Sequence, residues 1–147
     1  MFFGQYEHSI DAKGRLTIPS GFRELIPDGL YVMLGFDHNL TAYPKAVYEQ
    51  LSNHANKMTI TDKDARDFRR FLFGNTAELY FDSMGRILIP AFLREFAKID
   101  SSVVIVGAGD SFEIWAPELW AVQNEQIKDP SLHATHWEAM NVSTRGD

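Results

Sequence analysis

The stretch of sequence that decides the fold is DAKGRLTIPSGFREL, residues 11–25, because it recurs as DSMGRILIPAFLREF, residues 82–96. The offset from 11 to 82 is 71 residues, and seven of the 15 aligned positions carry the same residue in both copies. An internal repeat has to be recognised first, because it determines how the rest of the chain is divided. The identical pairs are Asp11/Asp82, Gly14/Gly85, Arg15/Arg86, Ile18/Ile89, Pro19/Pro90, Arg23/Arg94 and Glu24/Glu95.

The repetition continues on both sides of this stretch. Phe2 matches Phe73 at the same offset of 71, and residues 31–35 align with residues 103–107 at an offset of 72. Each copy spans roughly 50 residues, which is too few to bury a stable core alone, so the two copies are expected to share one core. We predict a first repeat at residues 1–57, a linker helix at 58–74, a second repeat at 75–128, and a C-terminal helix and tail at 129–147.

Hydrophobic periodicity within each repeat is mostly that of β-strands. In the first repeat it predicts strands near 5–10 and 15–18, a short helix over 20–26, strands at 30–35 and 40–43, and a helix to about 57. The pattern of the second repeat predicts the same order of strands and helices. A clearer helix is predicted between the repeats, over 61–73, with Thr61 and Asp64 as its capping box. A last short helix is predicted around residues 133–140.

Composition excludes several classes of protein. The chain has no cysteine, which excludes disulfides, thiolate metal sites and a cysteine nucleophile. Its longest aliphatic run, residues 103–106, is far shorter than the roughly 20 residues of a membrane span. The N-terminal residues also lack the pattern of a secretory signal. We therefore expect a soluble cytoplasmic protein without a membrane partner.

The net charge of −6 argues at first sight against a nucleic-acid partner. The charges are unevenly distributed, however. Residues 1–97 hold 11 basic and 12 acidic side chains, whereas residues 98–147 hold 3 basic and 8 acidic ones. The acidity is concentrated in the C-terminal third, so a local cationic surface on the first two thirds remains compatible with the negative total.

The strongest candidates for a functional site are the two Gly-Arg turns, residues 11–15 and 82–86. An arginine beside a tight turn presents donors that suit phosphate oxygens or the edge of guanine. Lys13 adds a second cation to the first turn, and we predict that Lys13 and Arg15 bind a surface ligand. Met84 stands in the equivalent place of the second turn, so the two turns should not be equivalent.

A structural interpretation of the same arginines stays open. Arg15 and Arg86 could pair internally with the aspartates of their own turns, or with the glutamates of the short helices that follow. Arg23 and Arg94 each precede such a glutamate and are predicted to hold their helix. The residues concerned are Asp11, Asp82, Glu24 and Glu95.

Signatures of catalysis and metal binding are weak. The chain has neither a G-x-S-x-G sequence nor a glycine-rich phosphate loop followed by a helix. His133 and His136, with Glu138 nearby, lack further ligands for a metal. We therefore predict that the protein is not an enzyme and uses no metal, cofactor or small-molecule substrate.

The opening MFxGxYxHSIDxKGRLxIP, with the second DxxGRIxIP, resembles the MraZ family of bacterial transcriptional regulators, which have two AbrB-like (SpoVT-AbrB) domains in one chain. The resemblance covers residues 1–140 in order. It implies a mainly β fold with α, of the α+β class: a pseudo-two-fold, swapped-hairpin AbrB-like β-barrel with short peripheral helices.

The same resemblance implies a partner and an assembly. Members of the family form a homo-oligomeric ring that binds short tandem repeats in promoter DNA of the division and cell-wall gene cluster, which implies a nucleoid-associated protein. The positions that match the family's DNA-contacting turn are Lys13, Gly14 and Arg15, with Arg86 as the counterpart in the second repeat. Two other functions stay open: an AbrB-like antitoxin, and a small barrel hydrolase that uses Asp11 and Asp82.

Overall fold

The structure is a computed structural model that describes residues 1–132 together with residues 136, 137 and 140. The chain divides into two compact units, Met1–Ala116 and Pro117–Asp147. The short helix predicted around residues 133–140 falls mainly on positions outside the described residues.

Strands and helices follow one another in the predicted order, and the α+β class is confirmed. The first unit contains β1 (Gln5–Ser9), β2 (Arg15–Thr17), α1 (Ser20–Arg23), β3 (Leu30–Leu34), β4 (Leu40–Pro44), α2 (Lys45–Asn56), α3 (Lys63–Gly74), β5 (Thr76–Leu79), β6 (Arg86–Leu88), α4 (Ala91–Phe96), β7 (Ser102–Gly107) and β8 (Phe112–Trp115). The second unit contains α5 (Pro117–Lys128) and α6 (Pro130–Leu132).

The strands of the two repeats exchange partners. Strand β1 pairs with β7 and strand β5 pairs with β3, so the first strand of each repeat lies beside the third strand of the other. Strands β2 and β6 pair with each other in a separate two-stranded ribbon. The larger antiparallel sheet has the order β1-β7-β8-β4-β3-β5, which is unchanged when the two repeats are interchanged. The fold is therefore pseudo-two-fold: the first two strands of each repeat pair with strands of the other repeat, whereas its third and fourth strands pair with each other.

The swapped hairpins are thus present, but the ladders do not close into the barrel that the resemblance implied. Among the described strands, β1 and β5 form the two edges of an open six-stranded sheet. An isolated bridge between Ile10 and Leu16 joins the ribbon to the end of β1. A tight turn follows Ile10 and redirects the chain, which ends the regular ladder there.

The offset of 72 predicted for the third strands is wrong by one residue. Tyr6 lies opposite Ile105, and its equivalent Ala77 lies opposite Val32, so Val32 corresponds to Ile105 at an offset of 73. Both Val32 and Ile105 are fully buried. The turn after β3 is one residue longer than the turn after β7, which restores the offset of 72 in the fourth strands.

The main hydrophobic core draws on both repeats, as predicted. Leu16 and Ile87 face each other at the centre of the ribbon, and both are fully buried. Burial of this apolar surface is the dominant favourable term in folding, and neither repeat supplies it alone. A smaller cluster between β3, α2 and α3 contains Met33, Tyr48, Ala55 and Leu72.

Helix α3 does not begin with the predicted capping box. Its N-cap is Asp62, whose carboxylate accepts a 3.0 Å hydrogen bond from the backbone N–H of Asp64. Aspartate is among the best N-cap residues because its short side chain reaches these otherwise unpaired donors. Thr61 therefore lies outside the cap.

Candidate nucleic-acid interface

The first Gly-Arg turn is organised around Asp11. One of its carboxylate oxygens, Oδ1, accepts the backbone N–H groups of Lys13 at 3.0 Å and Arg15 at 2.9 Å. The other oxygen, Oδ2, accepts the Arg15 Nε at 2.6 Å. The carbonyl of Asp11 accepts the Gly14 N–H at 2.9 Å, which closes the turn. One side chain thus fixes both the backbone and the direction of the arginine.

The second turn reproduces this arrangement. Asp82 Oδ1 accepts the backbone N–H groups of Met84 and Arg86 at 2.9 Å each, and Oδ2 accepts the Arg86 Nε at 2.8 Å. The internal pairing considered from the sequence is therefore present in both turns. The other alternative is absent: in the described part of the chain no ion pair joins either arginine to Glu24 or Glu95.

Internal pairing leaves both arginines able to bind a ligand. Each uses only Nε in its side-chain bond, and within the described residues neither Nη1 nor Nη2 has a partner. The Arg15 side chain is 39% exposed and the Arg86 side chain 25% exposed. Lys13 is exposed on the turn itself. A guanidinium held through Nε still presents two NH₂ groups in a fixed plane, so the aspartates act as positioning residues.

The glycines of the turns are required for two separate reasons. Gly14 has a φ of +93° and Gly85 a φ of +74°, in the left-handed region that favours glycine. A Cβ at Gly14 would also lie 2.5 Å from the carbonyl oxygen of Ile89, and a Cβ at Gly85 would meet the guanidinium of Arg23. Each turn is therefore pressed against atoms of the other repeat.

Arg23 and Arg94 have a structural role wider than the predicted one of holding their own helices. The Arg94 Nε donates to the Ile89 carbonyl at 3.0 Å, beside Gly14. Arg23 is placed equivalently against Gly85, with its Nε buried and unpartnered among the described residues. These arginines support the turn of the opposite repeat from behind.

The ribbon brings the two exposed arginines onto one face. Arg15 lies opposite Leu88 and Arg86 lies opposite Thr17. The middle pair of the ribbon, Leu16 and Ile87, points into the core instead. Alternate residues of a strand share a face, so Arg15 and Arg86 are diagonal neighbours. The Cβ atoms of such neighbours are about 7–8 Å apart. Sequence reasoning missed Thr17 and Leu88 on this face, although their spacing of two from the arginines was a usable signal.

The electrostatics of the two turns differ. The backbone hydrogen bond from Arg15 is the main cause that lowers the pKa of Asp11 to about 2, and the equivalent bond from Arg86 lowers the pKa of Asp82. Both carboxylates are therefore ionised near neutral pH and offset one cation each. Lys13 leaves the first turn with a net positive charge, as predicted, whereas the second turn is neutral.

These contacts disfavour the hydrolase interpretation. A carboxyl group with a pKa of about 2, held by its own turn, is a poor general acid near neutral pH because it carries no proton to donate. Among the described residues, histidine and acidic side chains form no cluster that could hold a metal ion, and Glu138 lies outside those residues. No helix within the described ranges is long and apolar enough to cross a membrane.

Comparison with known proteins gives consistent results over nearly the whole chain. A family model described as "MraZ protein, putative antitoxin-like" matches twice, over residues 1–71 and 72–141. The transcriptional regulator MraZ of Leuconostoc mesenteroides is 43% identical over 129 residues, which cover 88% of this chain and 90% of that protein. The protein of the same name from Herpetosiphon aurantiacus is 40% identical over 144 residues, 97% of this chain and 100% of that protein.

Proposed function

Because this chain belongs to the MraZ family, whose relatives described above are transcriptional regulators, we propose that it regulates transcription by binding promoter DNA. The proposed contact surface is the outward face of the ribbon with its two turns, hereafter the ribbon face. It comprises Lys13, Gly14, Arg15 and Arg86, with Leu88 and Thr17 as the ladder partners of the two arginines.

One observation carries this proposal: Arg15 and Arg86 stand on the same face, and no described residue is a partner of their terminal nitrogens. The major groove of B-DNA admits a two-stranded β-ribbon, and arginine is the commonest partner of guanine there. Gly14 is buried and the place of its missing side chain faces Ile89 of the other repeat, so its part in the contact is to shape the turn that presents Lys13 and Arg15. Lys13 adds a contact to the sugar-phosphate chain.

The affinity of a single ribbon face would be low. Three cations neutralise only a few phosphates, which is too few for tight specific binding at physiological salt. Several protomers in a ring, each on one short element of a tandem repeat, would bind far more tightly through effective concentration. We therefore include the ring and the tandem promoter repeats of the division and cell-wall gene cluster in the proposal.

The test is fluorescence anisotropy with a duplex that carries several tandem repeats of the promoter, compared with a scrambled duplex across a salt series. We expect tight, repeat-dependent binding that weakens as salt rises. Arg15→Ala should weaken it strongly. Arg70→Ala is the matched control, because Arg70 lies on α3 and is paired with Asp67 at 2.9 Å.

Two results would count against the proposal. Unchanged binding by Arg15→Ala would remove the first turn from the mechanism. Equal affinity for repeat and scrambled DNA, in a folded and oligomeric protein, would exclude sequence-specific regulation and favour the antitoxin alternative. Light scattering on the same samples measures the subunit number, and a monomer would exclude the ring.

A further inference from the structure

Leu88 is an exposed apolar residue beside the two arginines of the ribbon face. It is 54% exposed, while its neighbours Ile87 and Ile89 are fully buried. This alternation follows from the strand itself, because successive side chains point to opposite sides. The outward position of Leu88 is therefore fixed by β6.

Leu88 has one arginine opposite it and another beside it on the ribbon face. It is the direct ladder partner of Arg15 and shares the row of Arg86, two residues away on the same strand. Its equivalent in the first repeat is Thr17, which is also exposed and lies opposite Arg86. One arginine thus has an apolar neighbour across the ribbon and the other has a hydroxyl. The pseudo-two-fold symmetry is broken at the surface where the proposed DNA contact occurs.

The chemistry of this pair matches two adjacent groups in the major groove. Guanine presents two acceptors that suit an arginine, and thymine presents its C5 methyl group, which suits an apolar side chain. Directly opposed residues of an antiparallel pair have Cβ atoms about 4.5–5.5 Å apart. That separation exceeds the step of about 3.4 Å between stacked bases by only about 1–2 Å, a difference that two long side chains can bridge to reach neighbouring base pairs.

We propose that Leu88 is a specificity-determining residue that contacts the C5 methyl group of a thymine next to the base pair bound by Arg15. The inference rests on the proposed function, because it places Leu88 within the same DNA contact. It assigns an apolar contact to a residue outside the Gly-Arg turns. The rival explanation, in which Leu88 packs against another copy of the chain, gives a different result in the test.

The experiment compares two duplexes of the same tandem-repeat promoter sequence, one with thymine and one with deoxyuridine at every thymine. This exchange removes only the methyl groups and leaves every hydrogen bond in place. The wild-type protein should bind the deoxyuridine duplex about fourfold more weakly per engaged protomer, the effect of losing one buried methyl contact. In Leu88→Gln, whose side chain is one atom longer and ends in a polar amide instead of methyl groups, this preference should disappear.

Leu25→Gln is the matched control, because Leu25 is an exposed leucine outside the ribbon and should keep the thymine preference. A preference that persists in Leu88→Gln, or that is missing in the wild type, overturns the inference while DNA binding itself stands. Loss of the oligomer in Leu88→Gln, measured by light scattering, assigns the residue to contact between copies and also overturns it. If the wild type binds neither duplex, the proposed function fails together with the inference.

Discussion

Ile89 of the second repeat donates its backbone N–H to the carbonyl oxygen of Gly14 in the first repeat, at 2.9 Å. The equivalent bond runs from Ile18 to the carbonyl of Gly85, at 3.2 Å. Each Gly-Arg turn is therefore held by the strand end of the opposite repeat. The surface proposed to bind DNA cannot form until both repeats have folded together.

Substitution of Gly14 should be more destabilising than substitution of a comparable glycine in open space. Gly14→Ala introduces left-handed strain of about 1–2 kcal/mol and a Cβ only 2.5 Å from a backbone oxygen, which should add about 1–3 kcal/mol. Gly109→Ala is the control, because Gly109 has a φ of +90° and nothing within 4 Å of the added Cβ. Urea unfolding measures both. If both variants lose the same free energy of unfolding, the close contact between the added Cβ at position 14 and the Ile89 carbonyl imposes no constraint.

Truncation at the centre of the ribbon should destabilise both repeats at once. Ile87→Ala removes a fully buried side chain opposite Leu16 and should lower the free energy of unfolding by about 2–5 kcal/mol. Ile60→Ala, at an exposed position, should change it by less than about 0.5 kcal/mol. Because the main core is shared, the loss should appear as a shift of one cooperative transition. Two separated transitions would contradict the shared core.

The stability contributed by Asp11 should depend on pH in the acid range. Its pKa is lowered from 3.8 to about 2, chiefly by the backbone hydrogen bond from Arg15. A lowered pKa means that this stability is fully present above pH 3.8 and is lost as the pH falls through about 2. Asp11→Asn should therefore flatten the pH dependence of urea unfolding in this window. If the free energy of unfolding varies with pH in the same way in the variant and the wild type, Asp11 does not contribute to stability through its ionisation.

Tyr31 should titrate well above an ordinary tyrosine. Its hydrogen bond with Glu78 is the main cause that raises its pKa from 10.0 to about 12. Glu78→Gln should bring the value back towards 10.0, and phenolate absorbance measures it. Glu49→Gln should have a smaller effect, because Glu49 acts only through its charge. Because the pKa is raised, the contribution of protonated Tyr31 to the free energy of unfolding is fully present below pH 10 and is lost as the pH rises through 12.

A cation introduced into the second turn should strengthen DNA binding. Met84 occupies the place equivalent to Lys13, so Met84→Lys gives the second turn the net positive charge that it lacks. The salt dependence of binding should become steeper by about one unit per engaged protomer. Met58→Lys, away from the ribbon, is the control for a non-specific charge effect. An equal gain in both variants would show that only net charge matters.

Much of the local structure follows from short stretches of the chain. The turn at residues 11–15 depends on one aspartate, one glycine with positive φ and hydrogen bonds within five positions. The strand and helix order and the unequal charge of the two turns are likewise local properties, and the repeat is visible when two short stretches are compared. For this reason the sequence predicted them, together with the α+β class.

Only the tertiary structure decided what these elements are joined to. The offset of 73 in the third strands, the common face of Arg15 and Arg86, and the exchange of strands that only the family resemblance had implied all depend on pairing between residues far apart in the chain. Such pairing is selected by burial of a shared core, to which positions such as Leu16 and Ile87 contribute jointly. A local pattern carries no information about its partner strand, so the ribbon face became visible only once both repeats were folded together.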